Sequence, residues 1–298
     1  MIDAVRIVEV GPRDGLQNEA KVIDTKDKIH LINLLSDCGF NKIEATNFLS
    51  PEWVPQMLDS YEVLTGIKRN QNINYTALVS NMNGYRQAKQ ANVNEIAIFV
   101  SASESFSQQN IKCSIKESLD NLQPIVDAAQ NDNIPVRGYV SCVVKCPYDG
   151  DVAPESVADV SRQMLAMGCY EIALGDTIGQ GTPETIHLML DKVLDIAPAE
   201  KLAAHYHNTN GLALHNIAAS LGKGIRIFDS SVGGIGGCPF VHGAKGNIAT
   251  RDVINLLHKF GFATHIDLEK LSAAEQYVAR IFGHENNFNQ EDELHNSL

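Results

Sequence analysis

The sequence predicts an α/β protein, a (β/α)8 TIM barrel with a short C-terminal helical extension. Two observations predict it. Eight strand-like runs alternate with helical patterns, and the 298 residues keep one unbroken globular composition, 44% hydrophobic and 20% charged, in about the length such a barrel uses. An open doubly wound sheet is the competing arrangement. It requires a Gly-rich phosphate turn after an early strand, and Gly11-Pro12-Arg13-Asp14-Gly15 lacks that spacing.

Taken in order, the β-branched run 5–10 stops at the Gly-Pro turn. Residues 25–38 follow with Ile29, Ile32, Leu34 and Leu35 on an apolar side and Gly39 as the stop. Further strand-like runs are 42–48, 73–79, 95–101, 135–141, 170–176, 202–208 and 226–232. Helical patterns separate them at 55–68, 83–91, 114–130, 154–167, 183–196 and 212–221, and 247–260 is the helix after the last strand. The barrel is expected over about 5–261, with 262–298 as extension and tail, all within a single domain 1–298. The extension holds a helical pattern at 267–282, and the polar end, 284–298, is expected to be loose.

Lys and Arg number 24 against 36 Asp and Glu, a net charge of −12, which argues against nucleic acid or an anionic membrane as partner. An anionic substrate therefore requires a locally basic or metal-containing site. No apolar run reaches the ~18 residues of a membrane span. The strand pattern begins at once, leaving no room for a signal peptide, so a cytoplasmic protein is expected. The six cysteines, at 38, 113, 142, 146, 169 and 238, lack a dense spacing and read as free thiols.

Ala203-Ala204-His205-Tyr206-His207-Asn208 reads as a strand, whose alternation puts His205 and His207 on one face. Two such imidazoles hold a divalent metal if oxygen ligands arrive from elsewhere; otherwise they fill a polar corner. Barrel active sites sit at the C-terminal ends of the strands. There the chain offers Arg13 and Asp14 after the first strand, Glu44 on the second, Asp176 at the end of the sixth, and Cys238 and Asn247 after the eighth. Asp14, His205, His207 and Asn247 form a two-oxygen, two-nitrogen set suited to an open octahedral ion such as Mg²⁺ or Mn²⁺. Such an ion can polarise two substrate oxygens. Arg13 either faces a carbonyl or enolate oxygen or pairs with Glu44 or Glu9. The glycines of Gly233-Gly234-Ile235-Gly236-Gly237-Cys238-Pro239 suggest a mobile lid that carries Cys238 as a general acid or base. Cys142 and Cys169 fit better as buried small residues.

Val10-Gly11-Pro12-Arg13-Asp14-Gly15-Leu16-Gln17-Asn18-Glu19 resembles the N-terminal motif of 3-hydroxy-3-methylglutaryl-CoA (HMG-CoA) lyases. Residues 231–240 followed by 243–250 resemble that family's signature loop, and 50–57, 101–104, 141–144 and 174–179 also match, so the likeness runs from about 5 to 261. The resemblance implies metal-dependent retro-Claisen cleavage of HMG-CoA to acetyl-CoA and acetoacetate, in leucine breakdown, ketone-body formation or a related branched-acid route. It implies Asp14, His205, His207 and Asn247 as metal ligands and Arg13 as the stabiliser of the acetyl-CoA enolate. Cys238 matches the lid cysteine assigned to proton transfer, and Glu44 and Asp176 match acidic residues needed for activity. Asp176 is the expected acceptor of the alcohol proton, directly or through water, with His205 as the other choice. An acyl-CoA substrate and a homodimer are implied as well.

Four positions depart from the family pattern, one of them Leu212, which stands for a polar residue. Asn208 stands for an Asp that could orient a ligand histidine, Arg251 for an acidic residue, and Ala173 for a small hydroxyl residue of the acyl pocket. They raise a lyase for another 3-hydroxy-3-alkylglutaryl-CoA as the alternative, with Arg251 meeting a displaced carboxylate and Ala173 admitting a larger branch. A Claisen-type synthase would carry long domains after the barrel, and a non-catalytic acyl-CoA binding protein would show neutral residues at Arg13, Asp14 or Cys238. No compact basic cluster marks a CoA phosphate site; Lys21, Lys26, Lys42 and Lys145 are the contributors considered.

Overall fold

Eight parallel strands close on themselves: β1 (Arg6–Glu9), β2 (Lys42–Phe48), β3 (Asn74–Val79), β4 (Glu95–Ser101), β5 (Val136–Ser141), β6 (Glu171–Asp176), β7 (Leu202–Tyr206) and β8 (Ile227–Ser230). The computed structural model describes residues 3–50, 52–237 and 246–283. Cys238 and the polar end 284–298 lie outside the described residues. Closure is made by β1, which runs beside β8 from the Arg6–Ile227 pair to the Glu9–Ser230 pair and meets β2 at Glu9–Ile43.

The strands are hydrophobic because both faces are covered, as parallel sheets require; all seven residues of β2 and all six of β6 are buried. Helices α1 (Thr25–Ser36), α2 (Ser60–Gly66), α3 (Met82–Gln90), α4 (Glu104–Ile111), α5 (Ile115–Asn131), α6 (Pro154–Met167), α7 (Pro183–Leu194), α8 (Ala213–Gly222), α9 (Thr250–Lys259) and α10 (Leu268–Phe282) form the outer layer. Local chemistry sets their starts. Ser114 and Glu117 make a reciprocal capping box on α5, and α6 and α7 begin with proline, whose missing N–H costs nothing in a first turn.

Three features go beyond the sequence reading: α4, a two-residue antiparallel ribbon pairing Lys145–Cys146 with Gly150–Asp151, and a π-type turn at Gly11–Gly15. All are short, and none carries a repeating hydrophobic pattern. Inside the barrel, Val8, Val10, Leu78, Ala97, Tyr139, Ala173, Ala203 and Ile227 form an apolar layer distinct from the larger core between strands and helices. Among the described residues no helix is long and apolar enough to cross a membrane.

Candidate active site

The N–H groups of Arg13, Asp14 and Gly15 all turn back onto the Val10 carbonyl, at 3.1, 2.7 and 3.2 Å. The chain leaving β1 therefore curls over the barrel mouth, with Pro12 setting its entry. Glu9 holds this curl to the other side of the closure. Its Oε1 accepts from the N–H groups of Gly11 (2.8 Å) and Val232 (2.9 Å), and its Oε2 accepts from the Thr250 hydroxyl (2.7 Å). The consequence is that Arg13 and Asp14 face the histidines of β7.

His205 Nε2 and His207 Nε2 lie 3.3 Å apart, and Asp14 Oδ2 is 3.6 and 3.7 Å from them. These three residues form a group able to hold a metal ion. Asn247, the fourth expected ligand, lies beside them: its Nδ2 donates to Asp14 Oδ2 at 2.9 Å, and its backbone bridges that of His207. Burial alone would raise the Asp14 carboxyl, but Arg13 and then the two histidines hold it well below its ordinary value. A carboxylate held in this way beside two converging imidazole nitrogens suits a divalent cation.

Arg13 is buried and clamped. Its Nε donates to Glu44 Oε2 at 2.8 Å, a second nitrogen lies 2.6 Å from the same oxygen, and Nη1 donates to Asp14 Oδ1 at 2.5 Å. The guanidinium also lies over the Tyr139 ring, 5.3 Å from its centroid. Burial opposes its charge, yet Glu44 and Asp14 hold its pKa above the ordinary value. Burial raises Glu44, with Arg13 pulling the other way. β2 slips register between Glu44 and Thr46, an irregularity of the kind that re-aims a side chain.

Sequence reasoning missed three residues below this cluster. Asp229, on β8, accepts from Arg137 Nη2 at 2.7 Å and Nη1 at 2.9 Å, and faces His205 Nδ1 at 3.2 Å. Arg137 also donates to Glu171 (2.7 Å) and to the Tyr139 hydroxyl (2.7 Å), which in turn donates to Glu44 at 3.0 Å. The polar side chains thus form a loop through the barrel, from Asp14 by way of Arg13, Glu44, Tyr139, Arg137 and Asp229 to His205. A signal existed in Val136-Arg137-Gly138-Tyr139-Val140, where Arg and Tyr occupy one face of an otherwise apolar strand.

A cavity of about 460 Å³ opens onto Arg13, Asp14, His205 and His207, and its remaining wall includes Leu49, Leu78, Phe99, Phe106 and Ile111. Asp176 is not among its lining residues. Its carboxylate accepts from the Gly181 N–H at 2.8 Å and the Gln180 N–H at 3.2 Å, and burial raises its pKa. Direct contact between Asp176 and a substrate in the cavity therefore does not fit. His205 has Nδ1 against Asp229 and Nε2 in the metal-facing group, which leaves no ring nitrogen for a separate base.

The departures from the family pattern resolve differently from expectation. Asn208 Oδ1 accepts from the Ala213 N–H at 3.2 Å at the start of α8, while the acid behind His205 is Asp229. Arg251 is committed to α10, donating to Glu275 at 2.6–3.1 Å and to Ser272 at 2.7 Å, and meets no cavity residue. Ala173 sits in the barrel's apolar layer and does not line the cavity. Lys42, at the opposite end of β2, is buried against Glu95 at 2.8 Å and is unsuited to a CoA phosphate.

The family model HMGL-like matches residues 4–278. The chain belongs to the HMGL-like family. It is 50% identical over 282 residues to the 3-hydroxy-3-isohexenylglutaryl-CoA/hydroxy-methylglutaryl-CoA lyase of Pseudomonas aeruginosa, covering 95% of this chain and 94% of that one. The solved HMG-CoA lyase of Brucella melitensis aligns with TM-score 0.93 and 56% identity over 94% of this chain and 99% of that one. An HMG-CoA lyase of Acinetobacter baumannii in complex with coenzyme A and 3-methylmalate aligns with TM-score 0.91 and 36% identity, covering 99% and 98%.

Proposed function

We propose that this HMGL-like protein is a metal-dependent carbon–carbon lyase that cleaves HMG-CoA to acetyl-CoA and acetoacetate. The observation that carries the reading is the convergence of Asp14, His205 and His207 beside a clamped Arg13 at one end of one cavity. Asp14, His205 and His207 would hold the cation, with Asn247, beside Asp14, as the fourth expected ligand. When bound, a divalent ion, Mg²⁺ or Mn²⁺, polarises the substrate's alcohol and carboxylate oxygens and lowers the alcohol's pKa.

Arg13 stabilises the oxygen of the thioester enolate that leaves when the carbon–carbon bond breaks. Its guanidinium carries more N–H donors than the bonds to Glu44 and Asp14 use, and its position is fixed before substrate arrives. Glu44 acts on the reaction by orienting Arg13. Asp176, its carboxylate held by the Gly181 and Gln180 N–H groups behind the cavity, accepts the alcohol proton through water. Cys238 delivers the proton to the enolate carbon from the lid. The described residues on either side of 238–245 meet beside Asn247, where the Gly246 N–H donates to the Gly236 carbonyl at 2.8 Å. The proposal extends to one catalytic unit in residues 1–298, working as a homodimer in the cytoplasm.

The apolar wall of Leu49, Leu78 and Phe99 favours a second reading, in which a longer 3-alkyl branch is also accepted, as the name of the Pseudomonas relative states for that enzyme. The test is HMG-CoA cleavage by purified protein with and without Mg²⁺ or Mn²⁺, following acetoacetate and acetyl-CoA together. Equal, metal-dependent release, abolished in Asp14→Ala and strongly reduced in Cys238→Ala, supports the reading. Absence of metal binding refutes it.

A further inference from the structure

We propose that Asp229 is the positioning residue of the metal group, fixing His205 in the tautomer that turns its Nε2 lone pair toward the cation; this rests on the metal-dependent reading above. Asp229 is fully enclosed, and so is the guanidinium that holds it: Arg137 and Asp229 are 1% and 2% exposed. Arg137 Nη2 donates to Oδ1 at 2.7 Å and Nη1 donates to Oδ2 at 2.9 Å, an end-on two-bond clamp. The third group on this carboxylate is His205 Nδ1, 3.2 Å from Oδ2.

An ionised carboxylate only accepts hydrogen bonds, so the ring nitrogen facing it must carry a proton. In a neutral imidazole the other nitrogen then carries the lone pair. That other nitrogen, Nε2, is the one 3.3 Å from His207 Nε2 and 3.6 Å from Asp14 Oδ2.

The arrangement is cross-braced. Asp229 comes from β8, His205 from β7, and Arg137 from β5, where Glu171 and the Tyr139 hydroxyl hold it at 2.7 Å each. The ring of His205 also meets Tyr139 edge-on, with centroids 5.7 Å apart. Rotation of the imidazole would thus break the Asp229 bond and the ring contact together. Carboxylates behind metal-binding histidines typically govern 10–100-fold of metal affinity.

The experiment uses the full chain. Metal-free wild-type protein labelled with ¹⁵N-histidine is examined by long-range ¹H–¹⁵N NMR, with the His205 ring assigned by its loss in His205→Gln. Mn²⁺ affinity is then measured by calorimetry for wild type and Asp229→Asn, with cleavage followed as Mn²⁺ is raised. The expected result is a proton on His205 Nδ1 in the wild type, an Mn²⁺ Kd raised about 10–100-fold in Asp229→Asn, and activity recovering at saturating Mn²⁺. A purely structural role would lower thermal stability without moving the Kd.

A folded Asp229→Asn protein that keeps the wild-type Mn²⁺ affinity overturns this proposal alone. So does a wild-type His205 protonated on Nε2, which decides the matter if the variant fails to fold. Absence of Mn²⁺ binding by the wild type overturns the metal-dependent reading itself.

Discussion

Replacing Glu44 by Gln separates the two things that Arg13 needs, charge and placement. In the wild type, one oxygen of Glu44 receives two guanidinium nitrogens, at 2.8 and 2.6 Å, and the Tyr139 hydroxyl at 3.0 Å. Hydrogen bonds to a charged partner contribute about 1.5–3 kcal/mol each. Gln preserves the shape but removes the charge, leaving Arg13 pinned by Asp14 at 2.5 Å and by the Tyr139 face at 5.3 Å. Loss of one pre-aimed donor costs about 10²–10³ in kcat. With half of the clamp still in place, Glu44→Gln should fall near the lower end, about 10²-fold, or roughly 2.7 kcal/mol. HMG-CoA cleavage at saturating Mn²⁺ measures kcat, and calorimetry measures Mn²⁺ affinity, which should stay close to wild type because Glu44 is outside the metal-facing group. A kcat within about threefold of wild type would show that Arg13 is placed without Glu44. An equal loss of Mn²⁺ affinity would show that Glu44 acts through Asp14.

Glu9 should make stability depend on pH. Burial pushes its carboxyl from 4.5 up to about 7 against the pull of Thr250, Val232 and Gly11. The folded value lies above the unfolded one, so its contribution is complete below about pH 4.5 and is lost as pH rises through about 7. Relative to Glu9→Gln, the wild type should lose roughly 3 kcal/mol between those limits, as read from urea unfolding across pH. Gly236 has φ +111°, and a Cβ there would lie 2.7 Å from Asn247 Nδ2 and 3.0 Å from Gly15 Cα. Gly236→Ala should therefore weaken Mn²⁺ binding by about tenfold while costing about 1–3 kcal/mol of stability, which calorimetry and thermal melting test together. Arg251→Ala strands Glu275, whose side chain is 6% exposed against 30% for Arg251. A fully buried pair broken in this way costs about 3–5 kcal/mol, and the exposure of Arg251 reduces that to about 1–3. Urea unfolding should show the loss, with kcat and KM unchanged.

The barrel was legible because its signal is repeated: eight strand-like runs, each followed by a helical pattern, state one architecture many times over. The group of Asp14, His205 and His207 was legible for a different reason. His205 and His207 are two apart on a strand, so alternation alone puts them together, and Asp14 and Asn247 belong to motifs at the strand ends. What stayed hidden depends on contacts between distant segments. Asp229 reads as an ordinary polar residue in Phe228-Asp229-Ser230, and only barrel closure brings it between Arg137 and His205. Arg251 reads as a charge reversal near Asn247, but the chain after α9 folds back and supplies Glu275. Asp176 ends its strand at the right height, yet the turn at Gly181 captures its carboxylate, which no spacing rule reveals.

The loop of charges also explains how an acidic protein offers a place for an acidic substrate. Around and below the cavity floor, the carboxylates Asp14, Glu44, Asp229 and Glu171 share the guanidiniums of Arg13, Arg137 and Arg6. With all seven ionised, the surplus is one negative charge. Such a surplus draws a cation into a site where burial strengthens every charge interaction. A divalent ion would more than cancel it and leave one positive charge, opposite in sign to the carboxylate of a 3-hydroxyglutaryl group. Asp14→Asn would remove that surplus before any ion arrives, so its loss of Mn²⁺ affinity should exceed the loss from Asn247→Ala, which removes a ligand but no charge. Equal losses in the two variants, measured at one ionic strength, would refute the charge argument and leave ligand number as the governing quantity.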